Sequence, residues 1–313
     1  MGIMRMGYVH ARVTDLAEAK HHYANTMGLY ETHTDETATG RRVFYKGWDE
    51  WDHHSVVLEE GGVGVAKFGW KVERPEDIDE VEKKAQTFGV TVERMSAGEN
   101  PEVSDGIRFT TPSDHVFEVY HGQTLIGTEV GTHNPECFPR HLVGVGVPGL
   151  DHALVLAEDV RTMERFLTDV FDFFPTERVQ TDLNDDDAHY IATWMTSNNQ
   201  IHQLAVLEGP PGNAQGKLHH FAFKLGDWSE VGRAGDLFAM DDVPIDIGPT
   251  RHGITRGQTI YFFDPSGNRN EVFAGGYLAY RDRPTVKWTP DQIAKGIFYH
   301  ARELNERFTT VYT

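Results

Sequence analysis

The chain constrains its own fold most strongly by repeating itself. The segment TPSDHVFEVYHG (111–122) returns as DPSGNRNEVFAGG (264–276), and in each a Pro-Ser turn precedes a glutamate by the same interval, Pro112 to Glu118 and Pro265 to Glu271. HHSVVLEEG (53–61) returns as HQLAVLEG (202–209), KFGWKV (67–72) as HFAFKL (220–225), and GYVHARV (7–13) as GLDHALVL (149–156). His10 and His152 stand 142 residues apart and His53 and His202 149 apart, while Lys67–His220 and Glu118–Glu271 are both 153 apart, so the spacing drifts as loop insertions would make it and the order is kept. Four ordered matches identify a tandem duplication with a boundary in 123–146.

The pattern also recurs inside each half. A short apolar strand (8–13; 151–156) precedes a helical stretch, DLAEAKHHYANTMGL or DVRTMERFLTDVF, with an Asp placed to cap it. β-prone runs such as RRVFYKGW and HYIATWMT follow, and then a second helical stretch, PEDIDEVEKKAQTFG or WSEVGRAGDLFAMDDV. Strand, helix and further strands thus alternate about four times, which predicts an α+β fold with mixed or antiparallel sheets rather than a Rossmann fold. After the repeats, Thr289-Pro290-Asp291-Gln292 has the form of a helix start, and Ile293, Ile297, Ala301, Leu304 and Phe308 follow at helical spacing. The expected tail is one amphipathic helix packed on the body or on a neighbouring subunit. The expected division is 1–135, 146–280 and a tail of 281–313.

Composition removes several functions. A net charge of −19 without a Lys/Arg cluster argues against nucleic acid. No apolar run reaches the roughly 18 residues of a membrane span, and the N-terminus lacks a signal-peptide core, so a cytoplasmic protein is expected. Cys137 is the single cysteine, which excludes intrachain disulfides and thiolate-built zinc sites. Any metal must be held by His and carboxylate.

Only the second half combines His152, His220 and Glu271; the first-half partner of His220 is Lys67, a poor ligand while protonated. Two imidazoles and one carboxylate make the facial triad of non-haem Fe(II) oxygenases, which leaves open positions for substrate and O2. Strict strand alternation sends His219 and His220 to opposite faces, and the repeat selects His220. Glu271 heads an apolar run, where a bare buried carboxylate is costly and a metal ion removes the cost. Each residue alone has a plainer reading: a core histidine, a member of a histidine-rich set of 17, a glutamate paired with Arg269. Together, in matched repeat positions, they favour a metal.

On LDHALVL, KLHHFAFKL, IDIGPTRHGITRGQTIYFFDPSGNRNEVFAGG and the tail FYHARELNERFTTVYT, the chain resembles the type I extradiol dioxygenases of the vicinal oxygen chelate superfamily. The resemblance spans essentially the whole chain, more faintly in the first half. It implies four βαβββ modules in two barrel-like domains, with metal only in the C-terminal one. It implies Fe(II) held by His152, His220 and Glu271, Mn(II) being compatible with the same ligands. It implies His202 as the acid/base residue near bound oxygen, and His252 and Tyr261 as partners of the substrate oxygens. It implies extradiol cleavage of catechol or substituted catechols with O2, as in the catabolism of aromatic compounds, by a homotetramer.

The chemistry suits these residues. Adjacent hydroxyls chelate an open metal face, and a dication lowers a hydroxyl pKa. A histidine titrates near neutrality and suits proton traffic. The alternatives are a non-redox metalloenzyme of the same superfamily (a glyoxalase-like isomerase or thiol transferase) and a metal-free binding protein. The first commonly takes a fourth ligand shared between modules, which Lys67 does not supply; the second does not need an intact triad. Arg251 and Arg256, near His252, have two readings, solvated loop charges or partners of an acidic substrate, of which the first is favoured.

Overall fold

The computed structural model describes residues 2–185 and 187–313. The duplicated sequence forms two sheets of the same topology. The first holds β1 (Ile3–Val13), β2 (Tyr30–Glu36), β3 (Arg41–Lys46), β4 (Val56–Glu60), β5 (Val65–Val72), β6 (Val92–Met95), β7 (Gly106–Thr110) and β8 (Val116–Tyr120). The second holds β9 (Leu150–Ala157), β10 (Phe174–Gln180), β11 (Tyr190–Thr196), β12 (Leu204–Glu208), β13 (Leu218–Lys224), β14 (Ile245–Arg251), β15 (Gly257–Phe263), β16 (Arg269–Gly275) and β17 (Val286–Trp288). The first runs β2-β3-β4-β1-β5-β8-β7-β6; the second, read from its other edge, runs β17-β10-β11-β12-β9-β13-β16-β15-β14. Removing β17 makes the two orders equivalent strand for strand. Each sheet joins two βαβββ modules through one antiparallel pair, β1 with β5 and β9 with β13. Parallel pairs flank it, so the sheets are mixed, as the sequence predicts.

The module helices are α1 (Leu16–Lys20), continued by a π-helical turn over His21–Thr26, α2 (Asp77–Phe88), α3 (Val160–Phe171) and α4 (Trp228–Met240). Asp15 and Asp159 accept backbone N–H bonds at a helix start, the role their sequence position suggests, and Asp227 does the same for α4. One buried cluster runs through both halves. Trp70 meets Phe171 and Phe173 edge-on, and Phe88 meets Phe166 at 5.2 Å between centroids. The second sheet is therefore packed, through one continuous core, against a sheet of the same topology.

The tail departs from the single expected helix. A 3-10 turn at Pro290–Gln292 follows Thr289, whose side chain makes no capping bond, and leads into α5 (Ile293–Ile297); the chain then leaves helical geometry at Phe298, passes through Arg302 at φ 58°, and forms α6 (Glu306–Thr310). The reason lies in what the tail covers. Ile293 and Ile297 pack on one side of a cavity with Trp194 and Ile254, and Phe298, Leu304 and Phe308 pack on the other with Tyr261. A straight rod would bury one stripe; the bent segment buries both groups over the mouth of the site.

Candidate metal centre

Four central strands carry the site. His152 is on β9, His220 on β13, Glu271 on β16 and Tyr261 directly opposite Glu271 on β15, while His202 stands just ahead of β12 and His252 just after β14. All six sequence-predicted residues line one cavity and none exceeds 7% exposure. Ligand-capable atoms of His152, His220 and Glu271 lie within 4.8 Å of one another, the one such group among the described residues. Glu271 is the third residue of its strand rather than the head of it, and is fully buried.

The hydrogen bonds decide where the protons sit. His152 Nδ1 lies 2.7 Å from Asp151 Oδ1, which can only accept, and Gln200 Nε2 holds that carboxylate at 3.0 Å. His152 Nε2 is therefore the atom aimed at Glu271 Oε2, 3.0 Å away; His220 Nε2 approaches the same oxygen at 3.1 Å. Thr259 Oγ1 donates to the other oxygen, Oε1, at 2.5 Å. Two imidazole nitrogens thus converge on one carboxylate oxygen. Burial lowers the pKa of His152, but the Glu271 charge and the Asp151 bond outweigh it and raise the pKa to about 9; burial carries His220 down to about 4. Burial also works against the Glu271 anion, yet the His152 charge and the histidine contacts hold its pKa well below the usual carboxylate range. One proton on His152 Nε2 serves one of these contacts. A divalent cation in its place serves all three donor atoms, so the residues fit a metal.

His202 sits with its ring centroid 4.0 Å from that of His152 and its Nδ1 unpartnered. Burial and the neighbouring histidines hold it neutral, well below the ordinary histidine pKa. His252 is fixed through Nδ1, which donates to the Ile297 carbonyl of the tail, so its Nε2 accepts from the Tyr261 hydroxyl at 3.0 Å. The remaining wall is apolar: Leu154, Trp194, Leu207, Ile254, Phe273 and the tail residues Ile293, Ile297, Leu304 and Phe308, with no Lys or Arg among the described lining residues. Arg251 donates to the Arg256 carbonyl and Arg256 covers the Tyr277 ring, so both stay off that wall.

Three further sequence expectations need correction. Alternation separates His219 from His220, but a bulge between Leu218 and His220 interrupts it, both rings face the cavity, and their Nδ1 atoms are 2.7 Å apart. The pairings of His10 with His152 and of His53 with His202 are also overturned. Val9 pairs with Val56 and Phe68, and Ala153 with Leu204 and Phe221, so Tyr8 is the counterpart of His152 and His54 that of His202. The slip from His10 to Tyr8 is of two residues and keeps every side chain on its own face, so no hydrophobic pattern can detect it; the slip from His53 to His54 is of one residue, between adjacent histidines. His10 instead pairs with Glu59 at 3.0 Å. Lys67–His220 and Glu118–Glu271 stand as expected, since Gly69 pairs with Glu118 as Ala222 pairs with Glu271.

Sequence reading missed Asp151, Thr259 and Gln200, and set His219 aside as pointing away from the site. Asp151, directly beside a proposed ligand, was the one with a local signal.

Comparison with known proteins agrees with this geometry. A profile of the Glyoxalase/Bleomycin resistance protein/Dioxygenase superfamily matches residues 149–272, and one of the catechol 2,3-dioxygenase-like N-terminal domain matches residues 67–123. Metapyrocatechase of Pseudomonas sp. (strain CF600) is 41% identical over 100% of this chain and 99% of that protein. The manganese-dependent 2,3-dihydroxybiphenyl 1,2-dioxygenase of Geobacillus genomosp. 3 is 27% identical over 96% of this chain and 95% of that protein. The crystal structure of the 2,3-dioxygenase LapB from Pseudomonas sp. KL28 superposes with a TM-score of 0.87 at 38% identity, covering 93% of this chain and 99% of that one. The chain belongs to the extradiol dioxygenases of the vicinal oxygen chelate superfamily. Within them, its full-length relatives include the metapyrocatechases, which are catechol 2,3-dioxygenases.

Proposed function

We infer that this chain is a catechol 2,3-dioxygenase: it opens catechol or a substituted catechol beside the diol, with O2, to a 2-hydroxymuconate semialdehyde, in aromatic-compound degradation. The observation that carries the reading is the convergence of His152 Nε2 and His220 Nε2 on Glu271 Oε2 inside a buried apolar cavity. His152, His220 and Glu271 hold Fe(II). Bound there, the metal acidifies a catechol hydroxyl and brings diol and O2 to one centre. Mn(II) is the second occupant of the same ligands, a reading favoured by the relative named as manganese-dependent.

The protein groups around that centre divide the remaining tasks. His252 Nε2 and the Tyr261 hydroxyl present one acceptor and one donor at 3.0 Å from each other, a pair able to accept and return a substrate hydroxyl proton. His202, neutral and with Nδ1 free, takes and gives the proton on the oxygen side. The apolar wall excludes water and offers no partner to a charged ring substituent, so neutral catechols fit best. Residues 1–135 serve as scaffold, 146–280 carry the chemistry and 281–313 close the cavity. A homotetramer and a cytoplasmic setting belong to the same reading, supported by full-length similarity and testable by sedimentation and fractionation; no described helix is long and apolar enough to cross a membrane.

The test is anaerobic reconstitution with Fe(II) or Mn(II) followed by catechol and O2. The expected product absorbs as the yellow semialdehyde, with one O2 consumed per ring. Cleavage between the hydroxyls, or full activity without metal, rejects the assignment.

A further inference from the structure

The structure joins the tail to the metal centre through a residue outside the ligand set. His219 Nε2 lies 2.9 Å from the Phe308 carbonyl of α6. A carbonyl only accepts, so Nε2 carries the proton. Arg269 Nη1 lies 3.4 Å from the His219 carbonyl and 3.5 Å from Nε2, well beyond the 2.9 Å contact that fixes the Nε2 proton. His219 Nδ1 is thus bare and accepts, across 2.7 Å, from His220 Nδ1. With its proton committed there, His220 presents the lone pair of Nε2 to the site. The bulge in β13 makes the contact possible.

The tail is gripped where this relay begins. Leu218 N donates to the Thr313 carbonyl at 2.7 Å and Thr313 N to the Leu218 carbonyl at 3.0 Å. Arg269 donates to the carbonyls of Val311 at 2.7 Å and Arg307 at 3.1 Å, while Asp246 holds both Arg269 and Arg307. The Phe308 ring stacks edge-on against His219 at 4.6 Å. The anchors at His219, Leu218 and Arg269 therefore lie on or beside the strand that carries His220, and Asp246 on β14 adds a further one.

We propose that His219 is a positioning residue for the ligand His220, and that the 306–313 segment, through the Phe308 carbonyl, sets the tautomer in which His220 can bind a metal. Docking of the tail and retention of the metal are then one coupled equilibrium. Without the carbonyl, the His219 proton is free to move to Nδ1, His220 then protonates on Nε2, and that proton competes with the cation. The inference rests on the metal reading above, and its test does not use activity.

Mn(II) alone is titrated into the metal-stripped full-length protein, with free Mn(II) counted by electron paramagnetic resonance, for wild type, His219→Phe and His219→Gln. Glutamine keeps one acceptor and one donor; phenylalanine keeps the ring and loses both. Loss of an outer-shell partner of a ligating histidine costs about 10–100-fold in metal affinity, and that is expected for His219→Phe, with His219→Gln within about threefold of wild type. By the reciprocity of coupled equilibria, Mn(II) slows amide hydrogen exchange across 306–313 in wild type and in His219→Gln but not in His219→Phe. Equal affinity in all three proteins overturns the proposal, as does His219→Gln falling with His219→Phe while both melt like wild type. A wild-type chain that binds no Mn(II) or Fe(II) overturns the metal reading itself.

Discussion

Each half buries a glutamate at the same point of the same sheet, and the two halves neutralise it by opposite means. Around Glu118 everything donates. Lys67 Nζ lies at 2.9 Å, Arg108 Nε at 2.6 Å and Asn100 Nδ2 at 2.8 Å, and the Tyr8 hydroxyl completes the shell. Around Glu271 stand histidines, a threonine and a tyrosine, with no fixed cation in contact with it among the described residues. The exchanges are position for position: Tyr8 for His152, Lys67 for His220, Arg108 for Tyr261, His54 for His202. A buried carboxylate needs compensating positive charge. The first half builds that charge into its side chains and closes on itself; the second leaves acceptors converging in a cavity and must recruit it. The same backbone is a strut in one half and a metal cradle in the other.

Replacing the two glutamates tests that contrast most severely. Glu271→Ala loses metal and ring cleavage essentially completely, by both metal analysis and O2 uptake, because one of the three ligand-capable groups is gone. Glu118→Ala keeps metal and turnover but leaves Lys67 and Arg108 near one another without their carboxylate, at a cost of about 3–5 kcal/mol in denaturant unfolding. Activity lost with Glu118 and kept without Glu271 would invert the contrast.

Exchanging the shells is the next largest effect. Lys67→His alone leaves metal content at one per chain, because Tyr8 and Arg108 still fill the site. Tyr8→His, Lys67→His and Arg108→Tyr together restore the second half's donor set and raise Mn(II) stoichiometry to two. A second equivalent with Lys67→His alone would show that the other exchanges do not matter.

The histidine pair sharpens the comparison at the level of rate. His202→Ala keeps its metal and slows turnover by about 10²–10⁴-fold, the usual range for a positioned acid/base group. His54→Ala changes neither, although Tyr8 and His54 rings sit 5.3 Å apart much as His152 and His202 do.

The smallest effect is in pH. Burial raises the Glu118 pKa, but Lys67, Tyr8 and Arg108 outweigh it and leave it below the ordinary value of 4.5. A depressed carboxylate pKa contributes stability above the unfolded-state value and loses it as pH falls through the folded one. Wild type therefore loses melting temperature on acidification below about pH 4.5, and Glu118→Gln, less stable at neutrality, loses less over the same range. Parallel melting curves would remove Glu118 as the titrating group.

Much of this was legible before folding. The repeat, the four helix stretches of the modules, the mixed sheets and the set of His152, His220 and Glu271 follow from residue order, because each rests on local periodicity or on comparing one half with the other, whereas His202, His252 and Tyr261 rest on the family resemblance. What failed did so for specific reasons. The His10–His152 pairing used identity where only strand register decides. The His219–His220 argument assumed an uninterrupted pleat. The tail was read as a single helix because apolar spacing does not reveal that its residues cover two sides of one cavity.

By itself, the sequence determined that this protein is a duplicated α+β chain with one complete His-His-Glu set and one defective copy, since chemistry-bearing residue types and their order are properties of the string. Only the tertiary structure decided that Tyr8, not His10, answers to His152, that a bulge turns His219 onto His220, and that the tail's carbonyls orient two histidines of the site. Register, bulges and proton positions depend on partners far away along the chain, 89 residues for His219 with Phe308 and 119 for His152 with Glu271, and no local pattern records them.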